Sequence, residues 1–319
     1  MAHTERTFLV TGGAGFIGSH LVQFLLQHGR VRVLDNLTSG RIENLQQVLG
    51  QIEFIKGSVT DPALVAEAVA GCQVVFHLAA QVSVPYSLEV PNETFEVNLL
   101  GTQYVLESAR QAGVERVVFA SSAAVYGDAP RLPKRETMCP KPISPYAWTK
   151  WYGELLCQDY YRVYSLPTVC LRFFNVYGPR QNPHSPYAAV VPRWMECALS
   201  GRQPLLFGDG KQVRDFIYID DLVQGLWLGA THLDAPGEVY NLASGQPATL
   251  WELLRAIEAV CGRSLEPQLM PPRAGDIRRS YADIHKIQSR LGFQPQVSLR
   301  EGIRRTMEAY RTEEVAFVT

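Results

Sequence analysis

The sequence is poor in the features that mark several broad classes of protein. Its 319 residues contain six cysteines (Cys72, Cys139, Cys157, Cys170, Cys197 and Cys261), scattered and without a Cys-x-x-Cys pair. This spacing argues against a disulfide framework or a thiolate zinc site and reads as reduced thiols in strands and helices. The seven histidines show no metal-ligand spacing, so no metal is expected. With 30 lysines and arginines against 31 acidic residues, the formal net charge is −1. That balance removes the bulk electrostatic case for binding nucleic acid or an anionic membrane. No apolar run reaches the length of a membrane span, and the N-terminus lacks a signal-peptide pattern, so a cytoplasmic protein is expected. Internal repeats and low-complexity segments are absent as well.

What is present begins near the start. The apolar run Thr7-Phe8-Leu9-Val10-Thr11 feeds Gly12-Gly13-Ala14-Gly15-Phe16-Ile17-Gly18, and that cluster feeds an amphipathic stretch to His28. In such a strand–turn–helix, Gly12 permits the tight turn, Gly15 lets a pyrophosphate approach the backbone, and Gly18 lets helix pack on strand. The helix N-terminus, with Phe16 and Ile17 in its first turn, then offers N–H groups to the phosphates. A second strand, Val31-Arg32-Val33-Leu34, ends in Asp35 followed by Asn36. An acid there holds an adenosine ribose diol and repels a 2′-phosphate, which favours NAD over NADP. A ligand-free turn would use the same residues, so the reading rests on their combination.

Up to about residue 175, apolar strands alternate with helical stretches. Strands are expected at 7–11, 30–35, 52–56, 73–78, 115–121 and 167–173, with helices at 15–28, 40–49, 62–70, 91–112 and 145–164. This order predicts an α/β fold with a doubly wound parallel sheet, its ligand at the carboxyl ends of the strands. After 176, Pro- and Gly-rich turns separate shorter elements, with helices expected at 187–200, 219–231, 249–262, 283–291 and 298–311. The expected organisation is a dinucleotide-binding domain over 1–175 and a smaller α/β substrate domain over 176–319, their segments mixed at a shared cleft.

Several strand ends carry candidate chemistry. His77-Leu78-Ala79-Ala80-Gln81 has small residues across which a cofactor can lie, although a core strand end reads the same way. Asp61 can accept from an adenine amino group or simply cap the helix starting at Pro62. The fifth strand runs through Ala120 into Ser121-Ser122-Ala123-Ala124-Val125-Tyr126-Gly127. Its serines gain weight from Tyr146-Ala147-Trp148-Thr149-Lys150, because residues four apart share a helical face. A lysine ammonium near the phenol, with an oxidised nicotinamide adding positive charge, is expected to lower the Tyr146 pKa from about 10 and make it a general base.

Together these residues resemble the extended short-chain dehydrogenase/reductases, and within them the nucleotide-sugar epimerases and dehydratases. The likeness spans the chain. It includes Asn98-Leu99-Leu100-Gly101-Thr102, Arg172-Phe173-Phe174-Asn175-Val176-Tyr177-Gly178-Pro179-Arg180, Gly208-Asp209-Gly210, Val213-Arg214-Asp215-Phe216-Ile217-Tyr218-Ile219-Asp220-Asp221, and Arg273-Ala274-Gly275-Asp276. The resemblance implies a Rossmann fold and tightly held NAD, with Asn98, Ala120 and Phe173 added to the cofactor set. It implies a UDP-sugar substrate, contacted by Ser83, Ser122, Tyr146 and Asn175. Val190 and Phe207 would line the uracil pocket, with Ala189 a further substrate contact, Arg214 and Arg273 would clamp the diphosphate, and Asp276 would bind the ribose. It also implies a homodimer in which the helices at 91–112 and 145–164 form a four-helix bundle, against the alternative of burial on the sheet.

The choice of reaction rests on departures within the resemblance. Related 4,6-dehydratases carry Asp-Glu where this chain has Ala123-Ala124, and related decarboxylases carry a Glu there; alanine moves no protons. Hydride out and hydride back remains, which is 4-epimerisation. The small Ser280 after Arg278-Arg279 resembles enzymes that admit an N-acetyl group, as does Ser83 where some galactose enzymes have a lysine nearby. The expected activity is therefore interconversion of UDP-glucose and UDP-galactose, extended to the N-acetylated pair. A lyase of the same fold, or a non-catalytic NAD-sensing or RNA-associated relative, would be expected to alter 123–124 or to lose Tyr146 or Lys150.

Overall fold

The computed structural model describes residues 6–183, 189–272 and 277–318. The first half runs β1 (Thr7–Thr11), α1 (Phe16–Leu25), β2 (Arg30–Asp35), β3 (Ile52–Lys56), α2 (Pro62–Val69), β4 (Val74–His77), α3 (Val84–Glu89), α4 (Pro91–Phe95), α5 (Gly101–Gln111), β5 (Arg116–Ser122), α6 (Pro145–Tyr164) and β6 (Thr168–Phe173). The second half continues with β7 (Asn175–Tyr177), α7 (Val190–Ser200), β8 (Leu205–Phe207), β9 (Val213–Tyr218), α8 (Ile219–Thr231), β10 (Val239–Leu242), β11 (Pro247–Thr249), α9 (Leu250–Cys261), β12 (Gln268–Met270), β13 (Arg279–Ser280), α10 (His285–Leu291) and α11 (Leu299–Val318).

Seven strands form one parallel sheet in the order β10-β6-β5-β4-β1-β2-β3. The order reverses between β1 and β4, the kind of switch point at whose strand ends open α/β sheets bind ligands. Both faces are covered. Val10, Val33, Phe76 and Val118 pack toward α1 and α8, while Leu9, Leu34, Val75 and Phe119 pack toward α2, α5 and α6. Alternate residues of each strand thus feed separate cores, which is why the strands read as continuous apolar runs. The seventh strand comes from beyond residue 175, and α8 packs on β5 and β6, so chain from the second half completes the first sheet. The second half also forms a small sheet, β11-β9-β13 with β7 alongside β9, and the pair β12-β8.

Two expected helices take a different form. The stretch 40–49 contains only short 3-10 turns, Ile42–Leu45 and Leu49–Gln51. Its Asn44 amide donates to Ala14 O at 2.8 Å, so this segment braces the glycine turn. The stretch 91–112 is α4, one π turn at Glu96–Leu100, and α5. The expected helix at 145–164 is α6 itself. Ser144 caps it by accepting from Ala147 N, Pro145 occupies its first turn, and Ser165 ends it in a left-handed conformation.

Candidate active site

The glycine turn is shaped by close contact. Gly12 adopts φ +72°, and a Cβ there would lie 2.8 Å from Ala79 N. A Cβ on Gly18 would lie 2.2 Å from Gly12 O, so α1 can meet the turn only through glycine. Around Gly15, by contrast, an added Cβ would meet only Gly12 O, at 3.2 Å. Gly15 caps α1 with no side-chain acceptor, and the first turn, with Phe16 and Ile17, holds no acid. An uncapped N-terminus of this kind accommodates an anion. Asp35 is buried at the end of β2. Its carboxylate accepts from Ala14 N at 2.9 Å and Leu37 N at 2.8 Å, and burial pushes its pKa up. Asn36 beside it is exposed and accepts from Thr38 N. These features fit a dinucleotide: donors for a diphosphate and an acid for a ribose diol.

At the end of β4, Leu78, Ala79, Ala80 and Gln81 are partly exposed. Asn98 brackets Gln81, accepting from its N–H at 2.7 Å and donating to its carbonyl at 3.0 Å, and also donates to Thr149 on α6 at 3.1 Å. Asn98 lies in the π turn, and its amide fastens the β4 end to α6. His77, unassigned from sequence, is fully buried between Thr11 (2.8 Å) and Thr102 (3.0 Å), and burial holds its pKa down at about 3. Asp61 caps α2, accepting from Ala63 N and Leu64 N at 3.0 and 3.2 Å. Between the two readings of Asp61, the cap is the one its geometry displays.

The end of β5 meets α6. Lys150 Nζ donates to Ala120 O at 2.8 Å and lies 5.9 Å from the centre of the Tyr146 ring. Ser122 accepts from Ala124 N at 3.1 Å and stands near enough to the Tyr146 phenol to oppose the rise of its pKa. Phe173 is its register partner on β6. Ser121 is committed elsewhere, donating to Glu154 at 2.5 Å, which distinguishes the two serines. The pKa directions correct one expectation. Burial raises Tyr146, with the Ser122 hydroxyl opposing, and burial lowers Lys150 to about 8. The lysine spends a hydrogen bond on a carbonyl and faces the phenol ring, so the protein groups alone do not lower Tyr146 below its ordinary value.

In the small sheet, Ser280 of β13 is the register partner of Arg214 on β9, which places the two expected substrate contacts side by side. Arg214 and Asp215 point to opposite faces of the strand. Asp215 is buried and accepts from Ser244 N, Ser244 Oγ and Gly245 N at 2.6–3.1 Å, so its carboxylate pins the β10–β11 turn. Asn175 donates to Asp215 O at 2.9 Å. Phe207 ends β8, and Ala189 and Val190 open α7. Ser83 caps α3, accepting from Tyr86 N at 3.1 Å. Arg273 and Asp276 lie outside the described residues.

The sequence profile of the NAD dependent epimerase/dehydratase family matches residues 8–243. The chain belongs to this family. It is 43% identical over 312 residues to UDP-glucose 4-epimerase of Mycolicibacterium smegmatis, covering 96% of this chain and 98% of the relative. A UDP-glucose 4-epimerase of Thermotoga maritima, solved with UDP-glucose, superposes with TM-score 0.92 at 38% identity, covering 97% and 99% of the two chains. A UDP-N-acetylglucosamine 4-epimerase of Methanobrevibacter ruminantium, solved with UDP-N-acetylmuramic acid, gives TM-score 0.93 at 35% identity, with 97% and 99% covered. As a member of the epimerase/dehydratase family, the protein is an NAD-dependent enzyme. Among the described residues, no helix is long and apolar enough to cross a membrane.

Proposed function

We propose that the protein is a UDP-sugar 4-epimerase, interconverting UDP-glucose with UDP-galactose and accepting the N-acetylated pair. The observation that carries this reading is the Ser122–Tyr146–Lys150 set at the β5 end, next to two alanines. Ala123 and Ala124 bring no acid or base to the place where an elimination or decarboxylation would need one. A dehydratase or decarboxylase reading therefore lacks its apparatus.

In this reading the glycine turn and Gly15 hold the NAD diphosphate and Asp35 its adenosine ribose, while the β4 end and Phe173 border the rest. Bound NAD supplies the redox couple that removes and restores hydrogen at the sugar C4. Tyr146 Oη takes the proton of the C4 hydroxyl, with Ser122 Oγ bridging, and later returns it. Lys150 holds positive charge beside the ring, and bound oxidised NAD would supply the further positive charge needed to lower the Tyr146 pKa against burial. Arg214, with Arg273, holds the diphosphate while the 4-keto sugar turns to present its other face.

Trp148, Tyr152, Leu155 and Leu100 are between 37% and 42% exposed on α6 and the π turn, which suits a homodimer built on these helices. Six free cysteines suit a reducing, cytoplasmic setting. The test is incubation of the purified protein and NAD with each UDP-hexose and each UDP-N-acetylhexosamine, followed by resolution of the C4 isomers. Tyr146→Phe should cut turnover by about a hundredfold or more. Near-normal turnover would refute the proposal.

A further inference from the structure

Three consecutive residues at the end of β5 are each gripped by α6, and only two of the grips belong to the proposed chemistry. Lys150 holds the Ala120 carbonyl, the Tyr146 phenol reaches Ser122, and Glu154 accepts from Ser121 at 2.5 Å. Tyr146, Lys150 and Glu154 follow at intervals of four, so they share one face of the helix. Glu154 is 2% exposed and Arg172 of β6 is 3% exposed. Arg172 Nε and Nη2 donate to the two carboxylate oxygens at 2.8 and 2.7 Å, a bidentate pair. The guanidinium also lies 4.7 Å from the centre of the Tyr126 ring. A buried ion pair is a poor way to gain stability, since apolar residues of similar volume often hold a fold as well or better. Its place one helical turn beyond Lys150 calls for another explanation.

We propose that Glu154 and Arg172 are positioning residues for Tyr146 and Lys150. The pair fixes the register of α6 against β5, and each charge cancels the other, so that neither biases the phenol. The proposal rests on Tyr146 acting as the base. Other groups around this face are His77 from β4, Cys170 from β6, Tyr126 after β5 and Cys157 on α6. From α3 and α4 come Tyr86 and Glu93, bonded to each other at 2.6 Å, and from α5 Glu107, which pairs with Arg110 and accepts from Tyr160. With His77 neutral, Lys150, Glu154 and Arg172 are the charges buried behind the reacting face.

The test is titration of Tyr146 in the NAD-loaded protein, read as tyrosinate absorbance with the Tyr146→Phe protein subtracted, alongside kcat and KM. Glu154→Gln leaves a cation and should lower the Tyr146 midpoint by about half a pH unit or more; Arg172→Gln leaves an anion and should raise it by a similar amount. The double variant should restore the wild-type midpoint. It should still lose about tenfold or more in kcat, with KM little changed, because the bidentate pair that sets the register of α6 against the sheet is gone. Midpoints that stay put or move together in the single variants overturn the proposal. If the single variants do not fold, the double variant, which leaves neither charge of the pair without its partner, decides: wild-type kcat with only a lowered melting temperature overturns it. The titration does not depend on turnover, so a failure of the epimerase reading would appear separately, as activity retained by Tyr146→Phe.

Discussion

Lys150 Nζ sits 2.8 Å from the Ala120 carbonyl oxygen and is fully buried, one helical turn from Tyr146. Burial lowers its pKa from 10.5 to about 8, so the unfolded chain holds this proton more tightly than the native protein does. The sign follows. Below about pH 8 the charged lysine opposes folding in full, and the opposition fades as pH rises toward 10.5. Its size is roughly 3 kcal/mol.

Lys150→Met should therefore melt higher than the parent at neutral pH and turn over UDP-sugar at least about tenfold more slowly. The gap in melting temperature should narrow between pH 8 and 10.5 as the parent sheds its buried charge. Calorimetry across that range, with initial rates at neutral pH, checks both halves. A variant that melts lower at neutral pH would mean that the bond to Ala120 outweighs desolvation.

His77 gives the opposite side of the pH scale. Its pKa falls from 6.5 to about 3 on burial, so as pH drops from 6.5 toward 3 the unfolded chain takes up a proton that the native state refuses. Native stability then falls by up to about 1.4 kcal/mol per pH unit from this group. His77→Gln should start about 1–3 kcal/mol less stable at neutral pH, because one amide cannot serve Thr11 and Thr102 equally well. It should lose less on acidification. Urea midpoints at neutral and mildly acidic pH should converge for the two proteins, with His20, lowered to about 4, still titrating in both. Parallel curves would show that His77 is protonated in the native state.

Gly18→Ala tests the cofactor turn by contrast with a second glycine. Its new Cβ would stand 2.2 Å from Gly12 O, whereas one at Gly71, φ +74°, meets nothing within 4 Å. Gly71→Ala should cost about 1 kcal/mol from backbone strain alone and leave NAD binding unchanged. Gly18→Ala must displace the turn and should weaken NAD binding about tenfold or more, read by the thermal shift that NAD confers. Equal NAD affinities would detach the turn from the cofactor.

What sequence could show divides along physical lines. The central sheet was legible because its strands are buried on both faces, which leaves uninterrupted runs such as Val117-Val118-Phe119-Ala120 ending in polar motifs. The π turn at Glu96–Leu100 escaped because one extra residue barely disturbs a helical periodicity, yet it is what delivers Asn98 to Gln81. The stretch 40–49 has helical composition, but Asn44 spends its side chain on Ala14 O. Glu154 was visible only as a third member of the Tyr146 and Lys150 spacing, since its partner Arg172 lies on another element. Strands of two or three residues, β13 above all, hold no pattern of their own, and their neighbours define them. The direction of the Tyr146 shift was not legible either, because it depends on burial and on where the lysine hydrogen bond goes.

Ser280 carries the last prediction, which concerns the sugar. It pairs in register with Arg214, so a side chain at 280 stands beside the one assigned to the substrate diphosphate. It is partly exposed, and Ala282 two residues on is held by its N–H to Asp215 at 3.4 Å, so the strand is anchored while the side chain at 280 can vary. A tyrosine there adds a ring to a position now holding one hydroxyl. If the space beside Ser280 admits the C2 substituent, Ser280→Tyr should cut kcat/KM for UDP-N-acetylhexosamines by about tenfold or more and leave the UDP-glucose pair within about twofold, since overpacking acts only where the larger group must fit. Parallel assays on both pairs decide it. Equal loss on both would mean that the new ring disturbs Arg214, and the selectivity would then have to come from another wall of the cleft.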